Sequence, residues 1–189
     1  MKSVPIIFKI SISILLLFIL IGCGSSPLTT KVLNADAFVS SNSITIEDFS
    51  AKDATLNYNG NADSLGHVMA TFIQKEIQKM KNPVETFLGK GDSVHMEIFV
   101  EGKFTLIDAG SGAARILVGT GGATVAVKGV IKDKSGTVIA EFSKSKTSSG
   151  GPLGMGGLLA GSGTKIINDN MEDIAKDIAK FITNQNNKK

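Results

Sequence analysis

The sequence predicts an α+β domain, with a mainly antiparallel sheet of about four to five strands and two helices packed on one face as an α/β sandwich. Three observations predict it. Two segments, near residues 64–81 and 164–184, carry apolar residues at helical spacing. Between them lies a run of alternating apolar and polar residues interrupted by glycine-bearing turns. No motif recurs at a period of about 20 to 50 residues, so a repeat array or propeller is excluded.

The chain of 189 residues opens with Lys2 and Lys9 around a short apolar start, followed by the apolar or small stretch Ile10 to Ile21. Basic residues, a hydrophobic run of about a dozen and then small residues are the layout of a secretory signal, here 1–22. A transmembrane helix needs about 20 apolar residues, and Gly22-Cys23-Gly24-Ser25-Ser26 ends the run too early. The junction Leu20-Ile21-Gly22-Cys23 looks like a bacterial lipobox. The chemistry explains the residue types: the Cys23 thiol takes a diacylglycerol as a thioether, and small Gly22 admits the peptidase that cleaves between Gly22 and Cys23. Each buried CH₂ of an acyl chain contributes about 0.8 kcal/mol, so two or three chains hold a protein firmly at a membrane. Gly24 follows the cysteine where an Asp would favour inner-membrane retention, which points to the outer membrane, facing the periplasm.

Residues 23–42 are rich in Ser, Thr and small residues without apolar periodicity and are expected to form a lipidated flexible tether. A single domain is expected over 43–184, with 185–189 a disordered tail. Ile44 and Ile46 alternate with polar neighbours and predict the first strand, and residues 50–63 read as a loop. Asp63 or Ser64 can cap a helix whose stripe is Leu65, Val68, Met69, Phe72, Ile73, Ile77 and Met80, with Asn82-Pro83 as its stop. Val94, Met96, Ile98 and Val100 alternate with His95, Glu97, Phe99 and Glu101, a strand that Gly102 is expected to bulge before Phe104 and Leu106. Residues 123–131 and 137–142 read as paired strands joined by the turn Asp133-Lys134-Ser135-Gly136. Ile167, Met171, Ile174, Ala175, Ile178, Phe181 and Ile182 form the buried stripe of the last helix.

Composition excludes several functions. Charged residues make up 20% and hydrophobic ones 42%, so wholesale disorder is out. The formal charge of +3 counts Lys2 and Lys9; without them the chain carries +1 and offers no basic field for nucleic acid. One cysteine excludes an internal disulfide framework and a Cys-rich metal cluster.

The stretch Gly110 to Phe142, with its Ala114-Arg115-Ile116-Leu117-Val118-Gly119-Thr120-Gly121 core and the following Asp133-to-Gly136 strand turn, resembles bacterial lipoproteins of the domain-of-unknown-function 4410 family. The order of first strand, helix and final helix fits as well. The resemblance implies an envelope lipoprotein and supplies no accepted activity. The order of elements also looks like the small domains of curli-secretion and penicillin-binding-protein-activator lipoproteins, an analogy of fold alone.

Candidate sites are few. Gly110 and Gly112 lack a third glycine where Arg115 stands, and Gly161-Ser162-Gly163-Thr164-Lys165 places Thr before Lys, so neither is a phosphate-binding loop. His95 and Glu97 share a strand face with no third ligand by motif, His67 being the only other histidine, and no Gly-x-Ser-x-Gly elbow occurs. No cofactor, metal or catalytic residue is therefore expected, and the chain reads as non-enzymatic. Arg115 is the only arginine and Asp108 its candidate partner in a structural ion pair. The glycine-rich segment 150–163 displays Leu153, Met155, Leu158 and Leu159 and is the candidate interaction loop, or folds back on the core. The expected partners are the membrane through acylated Cys23 and an envelope protein or further copies of the chain. The alternative role is a binder of a small molecule or envelope polymer on the open sheet face; a hydrolase lacks a visible nucleophile–base pair.

Overall fold

The structure, a computed structural model, describes residues 25–39, 41–81, 83–89, 97–111, 122–148 and 163–187. Among these are three helices and seven strands in one open, mixed sheet, not a mainly antiparallel sheet of four to five strands with two helices. The order across the sheet is β1-β7-β6-β5-β2-β4, with β1 Thr29–Val32, β2 Ser43–Ile46, β4 Glu85–Leu88, β5 Ile98–Asp108, β6 Ala123–Asp133 and β7 Val138–Ser148. The remaining strand, β3 Thr55–Asn57, pairs with β5 beyond the end of β2.

The antiparallel expectation holds along the run β5-β6-β7-β1, in which each strand pairs with the next in that way. It fails for β2, which is parallel to both β4 and β5, and for β3, parallel to β5. The cause is the intervening helix α2, Ala62–Gln78, which brings the chain back to the end of the sheet where β2 began.

The region expected to be a tether is built into the fold over Ser25 to Val39. β1 pairs with β7, and α1, Asp36–Val39, follows it, with the Asn34 side chain accepting the Ala37 amide at 3.3 Å. Phe38 is fully buried and meets Phe181 edge to face at a centroid distance of 6.2 Å. All four β1 residues are exposed, so the strand is held by backbone hydrogen bonds and leaves no apolar alternation to detect. The same holds for β3 within the expected loop. The third helix, α3, spans Gly163–Asn186 and so takes in the start of the expected tail.

β5, β6 and β7 turn one face to the helices. Ile98, Val100, Phe104 and Ile107 meet Val125, Val127 and Ile131 across the strands, joined by Ile44 and Ile46 of β2. The expected helical stripes face this core: Leu65, Met69, Ile73 and Ile77 from α2, and the whole predicted stripe of α3. α2 packs over β2 and β4, α3 over β6 and β7, and the two helices pack against each other. The Asn61 side chain, not that of Asp63 or Ser64, caps α2, accepting the Asp63 amide at 3.0 Å. No helix among the described residues is long and apolar enough to cross a membrane.

Gly102 does not bulge β5. It sits in register opposite Gly129, and the irregularity falls between Phe104 and Leu106 instead. The glycine pair makes room: a Cβ on Gly102 would lie 2.2 Å from the Phe49 ring, and one on Gly129 2.3 Å from that of Phe142. Phe49 packs on Phe104 and Phe142 at centroid distances of 6.2 and 6.4 Å. The β6–β7 turn forms as expected, with Gly136 at φ +83° and its amide donating to the Asp133 carbonyl at 2.9 Å.

Candidate functional site

The face of the sheet turned away from α2 and α3 carries the polar half of each alternation. Cross-strand register places Lys31, Glu141, Val130 and Glu101 in one row, and Thr29, Ser143, Lys128 and Lys103 in the next. These rows line an open groove of about 540 Å³, floored by Gly102 and Gly129. A smaller hollow of about 280 Å³ continues from it toward Ser26, Thr105 and Ser145.

The groove is framed by paired charges. Lys132 donates to both carboxylate oxygens of Glu101 at 2.6 and 2.7 Å, and Lys103 reaches Asp53 at 3.2 Å. Each pair is partly open to water, so each orders side chains more than it stabilises the fold. Its lining chains are Lys, Glu, Ser, Thr, Val and Phe, and His67 lies elsewhere, on α2, where its Nδ1 stands 3.1 Å from Asp48. The described lining offers ammonium, carboxylate and hydroxyl groups to whatever enters the groove. Among the described residues no group of three or more His, Cys, Asp or Glu side chains could hold a metal ion. His95 lies outside the described residues, while Glu97 accepts a hydrogen bond from the Asn42 amide.

On the core face β7 breaks the apolar pattern. Lys144, Lys146 and Ser148 point under α3 and meet Asp177 at 2.5 Å, Asp173 at 2.8 Å and Asn170, respectively. Asn170 also donates to the Ala123 carbonyl at 2.9 Å, which ties α3 to both β6 and β7.

Of the candidate ion pair, Asp108 is described. Its Oδ1 accepts from the Asn57 side chain and the Gly110 amide, both at 2.7 Å, so this carboxylate holds β3 and the exit of β5 together. Its proposed partner Arg115 lies outside the described residues, as do Gly22, Cys23 and the loop residues Leu153, Met155, Leu158 and Leu159. Nothing in the sequence singles out the groove residues Lys31, Lys103, Lys128 and Glu141. Their only sequence signal is that they occupy the polar phase of strands, a property shared by many solvated residues.

Charge and hydrogen bonding set two titrations apart. The Ser135 hydroxyl and the Thr137 and Ser135 amides, which all donate to Asp133, hold its carboxyl below the usual range despite some desolvation. The hydrogen bond to Glu76 raises Lys79 above its ordinary value.

No curated protein matches the chain. Among solved structures it is similar to a chain of the PelC dodecamer from Paraburkholderia phytofirmans, at 10% identity and a TM-score of 0.52, covering 80% of this chain and 98% of that one. It is also similar to protein XCC0632 from Xanthomonas campestris, a DUF330 protein, at 10% identity and a TM-score of 0.46, covering 84% of this chain and 91% of that one. The family model described as Domain of unknown function (DUF4410) matches residues 22–152. That span is more than two thirds of the sequence and takes in β1 to β7, so the chain belongs to the DUF4410 family.

Proposed function

We propose that this protein is a lipid-anchored module of the bacterial cell envelope, non-enzymatic, that acts by assembling with copies of itself or with an envelope protein. Acylated Cys23 holds it at the membrane, and Gly24 in place of Asp favours the outer membrane with the domain in the periplasm. The observation that carries the assembly reading is β1. It ends the described sheet as an edge strand, exposed at all four residues, and such an edge is a template for pairing with another chain. The PelC chain of similar fold belongs to a dodecamer, which supports the use of this architecture in assembly. Cross-linking on intact cells, followed by separation of the adducts, tests it. A discrete multimer or one defined heteromeric adduct is the expected result, and monomer alone at every linker length refutes it. Metabolic acyl labelling of the wild type and Cys23→Ala, with membrane fractionation, tests the anchor. Label and membrane association are expected to vanish together in the variant.

A second reading, a binder of a small molecule or envelope polymer, is favoured by the groove volume of about 540 Å³. That size falls within the range of about 300–1,000 Å³ typical of ligand sites. Lack of any discrete cross-link, together with ligand-induced thermal stabilisation lost in Lys128→Glu, selects this reading over assembly.

A further inference from the structure

The lysines of the sheet differ in how their charge is answered. Lys144, Lys146, Lys132 and Lys103 meet Asp177, Asp173, Glu101 and Asp53, and Lys31 stands directly across from Glu141. Lys128 is the exception among the described strand residues. Its register partner on β5 is Lys103, and on β7 it is Ser143. Directly opposed residues have Cβ atoms about 4.5–5.5 Å apart, and like charges at that spacing cost stability. The carboxylates diagonal to it, Glu101 and Glu141, are the ones that Lys132 and Lys31 answer. Lys128 is exposed on the open face of the sheet and lines both the groove and the smaller hollow.

Hydroxyls surround it. Thr29 and Ser143 line both spaces with Lys128, and Ser26, Thr105 and Ser145 line the smaller one, where no carboxylate stands among the described residues. The Ser26 hydroxyl is committed to the Ser145 backbone, donating to its carbonyl and accepting its amide, both at 3.1 Å. Those of Thr29, Thr105, Ser143 and Ser145 are left for a ligand. Two ammonium groups rooted side by side among hydroxyls suit an oxyanion, and the donor types select which one. A planar carboxylate is best held by the parallel N–H pair of an arginine, and none of the described residues is arginine. The diverging oxygens of a phosphoryl group take separate point donors, which lysines and hydroxyls supply.

The rest of the groove limits what carries the phosphoryl group. Its floor is the backbone of Gly102 and Gly129 with Val130 beside it, and the carboxylates of Glu101 and Glu141 border that floor. An acyl chain laid there would strip water from both carboxylates and return no hydrogen bond. A sugar ring sets its C–H face on such a floor and donates its hydroxyls to the same carboxylates.

We infer that the open face of the sheet binds a phosphorylated saccharide, with the phosphoryl group held by Lys128, Lys103 and the Ser143 and Thr29 hydroxyls and the sugar lying over Gly102 and Gly129. This rests on the second reading above, that the groove takes a ligand, and is independent of assembly.

The test is calorimetric titration of the full chain in detergent micelles with glucose 6-phosphate, glucose, glucuronate, glycerol 3-phosphate and inorganic phosphate. Saturable binding of glucose 6-phosphate, about tenfold or more tighter than that of the other four, is the expected result. Lys128→Met should weaken it by about tenfold or more, and Lys128→Arg should keep most of it. Lys128→Met should melt no lower than the wild type, since it removes a repulsion from Lys103. Ser143→Ala, at an exposed position, provides a second variant and should weaken binding several-fold. Unchanged affinity in Lys128→Met overturns the inference. Glucuronate binding as tightly as glucose 6-phosphate overturns the phosphoryl assignment, and glycerol 3-phosphate doing so overturns the saccharide; either leaves the groove a ligand site. Binding by none of the five removes the ligand reading itself along with the inference.

Discussion

Three ion pairs tie residues of α3 to lysines in increasingly wet surroundings, and their graded burial yields a quantitative prediction. The Lys144 side chain is 5% exposed and Asp177 36%; for Lys146 and Asp173 the figures are 25% and 57%, and for Lys165 and Asp169 62% and 56%. Removing one partner of a buried pair costs about 3–5 kcal/mol, because the other charge stays in the interior without compensation. Asp177 is partly open, so water reaches the orphaned Lys144 ammonium in Asp177→Asn and the loss falls to about 2 kcal/mol. Asp173→Asn should cost about 1 kcal/mol and Asp169→Asn less than about 0.5 kcal/mol, the value of an exposed helical pair. For a domain of this size the first loss corresponds to a fall in Tm of about 4–8 °C. Thermal unfolding followed by circular dichroism, with urea titration as a second measure, reads the series. Adding Lys144→Met to Asp177→Asn removes the stranded charge and is expected to restore most of the loss, since an apolar chain of similar length suits the site under α3. Equal losses in the three single variants, or a double variant no better than Asp177→Asn, would refute the claim that burial of Lys144 sets the cost.

Gly129→Ala sets a Cβ 2.3 Å from the Phe142 ring and 2.4 Å from the Glu101 carbonyl oxygen. Such overpacking should cost about 1–3 kcal/mol in urea unfolding. Gly136→Ala meets no atom within 4 Å but must hold φ +83°, so a smaller loss of about 1 kcal/mol is expected. Asn61→Ala removes the cap of α2 and should cost about 1 kcal/mol, with Asn61→Asp close to wild type. Asp133 has its folded-state pKa lowered by the Ser135 hydroxyl and neighbouring amides. Its contribution is complete above the ordinary carboxylate pKa and fades as pH falls through the lowered value. Melting temperatures measured across the acid range should show a shallower decline for Asp133→Asn than for wild type.

Side-chain periodicity made the two long helices legible, since a stripe such as Ile167, Met171, Ile174 and Ile178 has one reasonable burial. It also revealed the core phase of Ile98 and Val100 in β5, the pairing of β6 with β7 and the hairpin turn at Asp133 to Gly136. What escaped it was the pairing of strands that bury no side chain. β1 and β3 expose every side chain, and a strand with no buried side chain resembles loop in one dimension. The lysines of β7 carry no local sign of their burial. Lys144 reads as a solvated residue until α3 brings Asp177 over it.

The residue pattern alone determined the two helical stripes and the turn at Asp133 to Gly136, because each is written in residues close together in the chain. Sheet order, the parallel setting of β2, the groove over Gly102 and Gly129, and the entry of Ser25 beside Lys146 arose from contacts between segments up to 121 residues apart. Local propensity has no term for such contacts. They form when buried area and backbone hydrogen bonds offset the entropy of closing long loops, a balance reached by the folded chain as a whole.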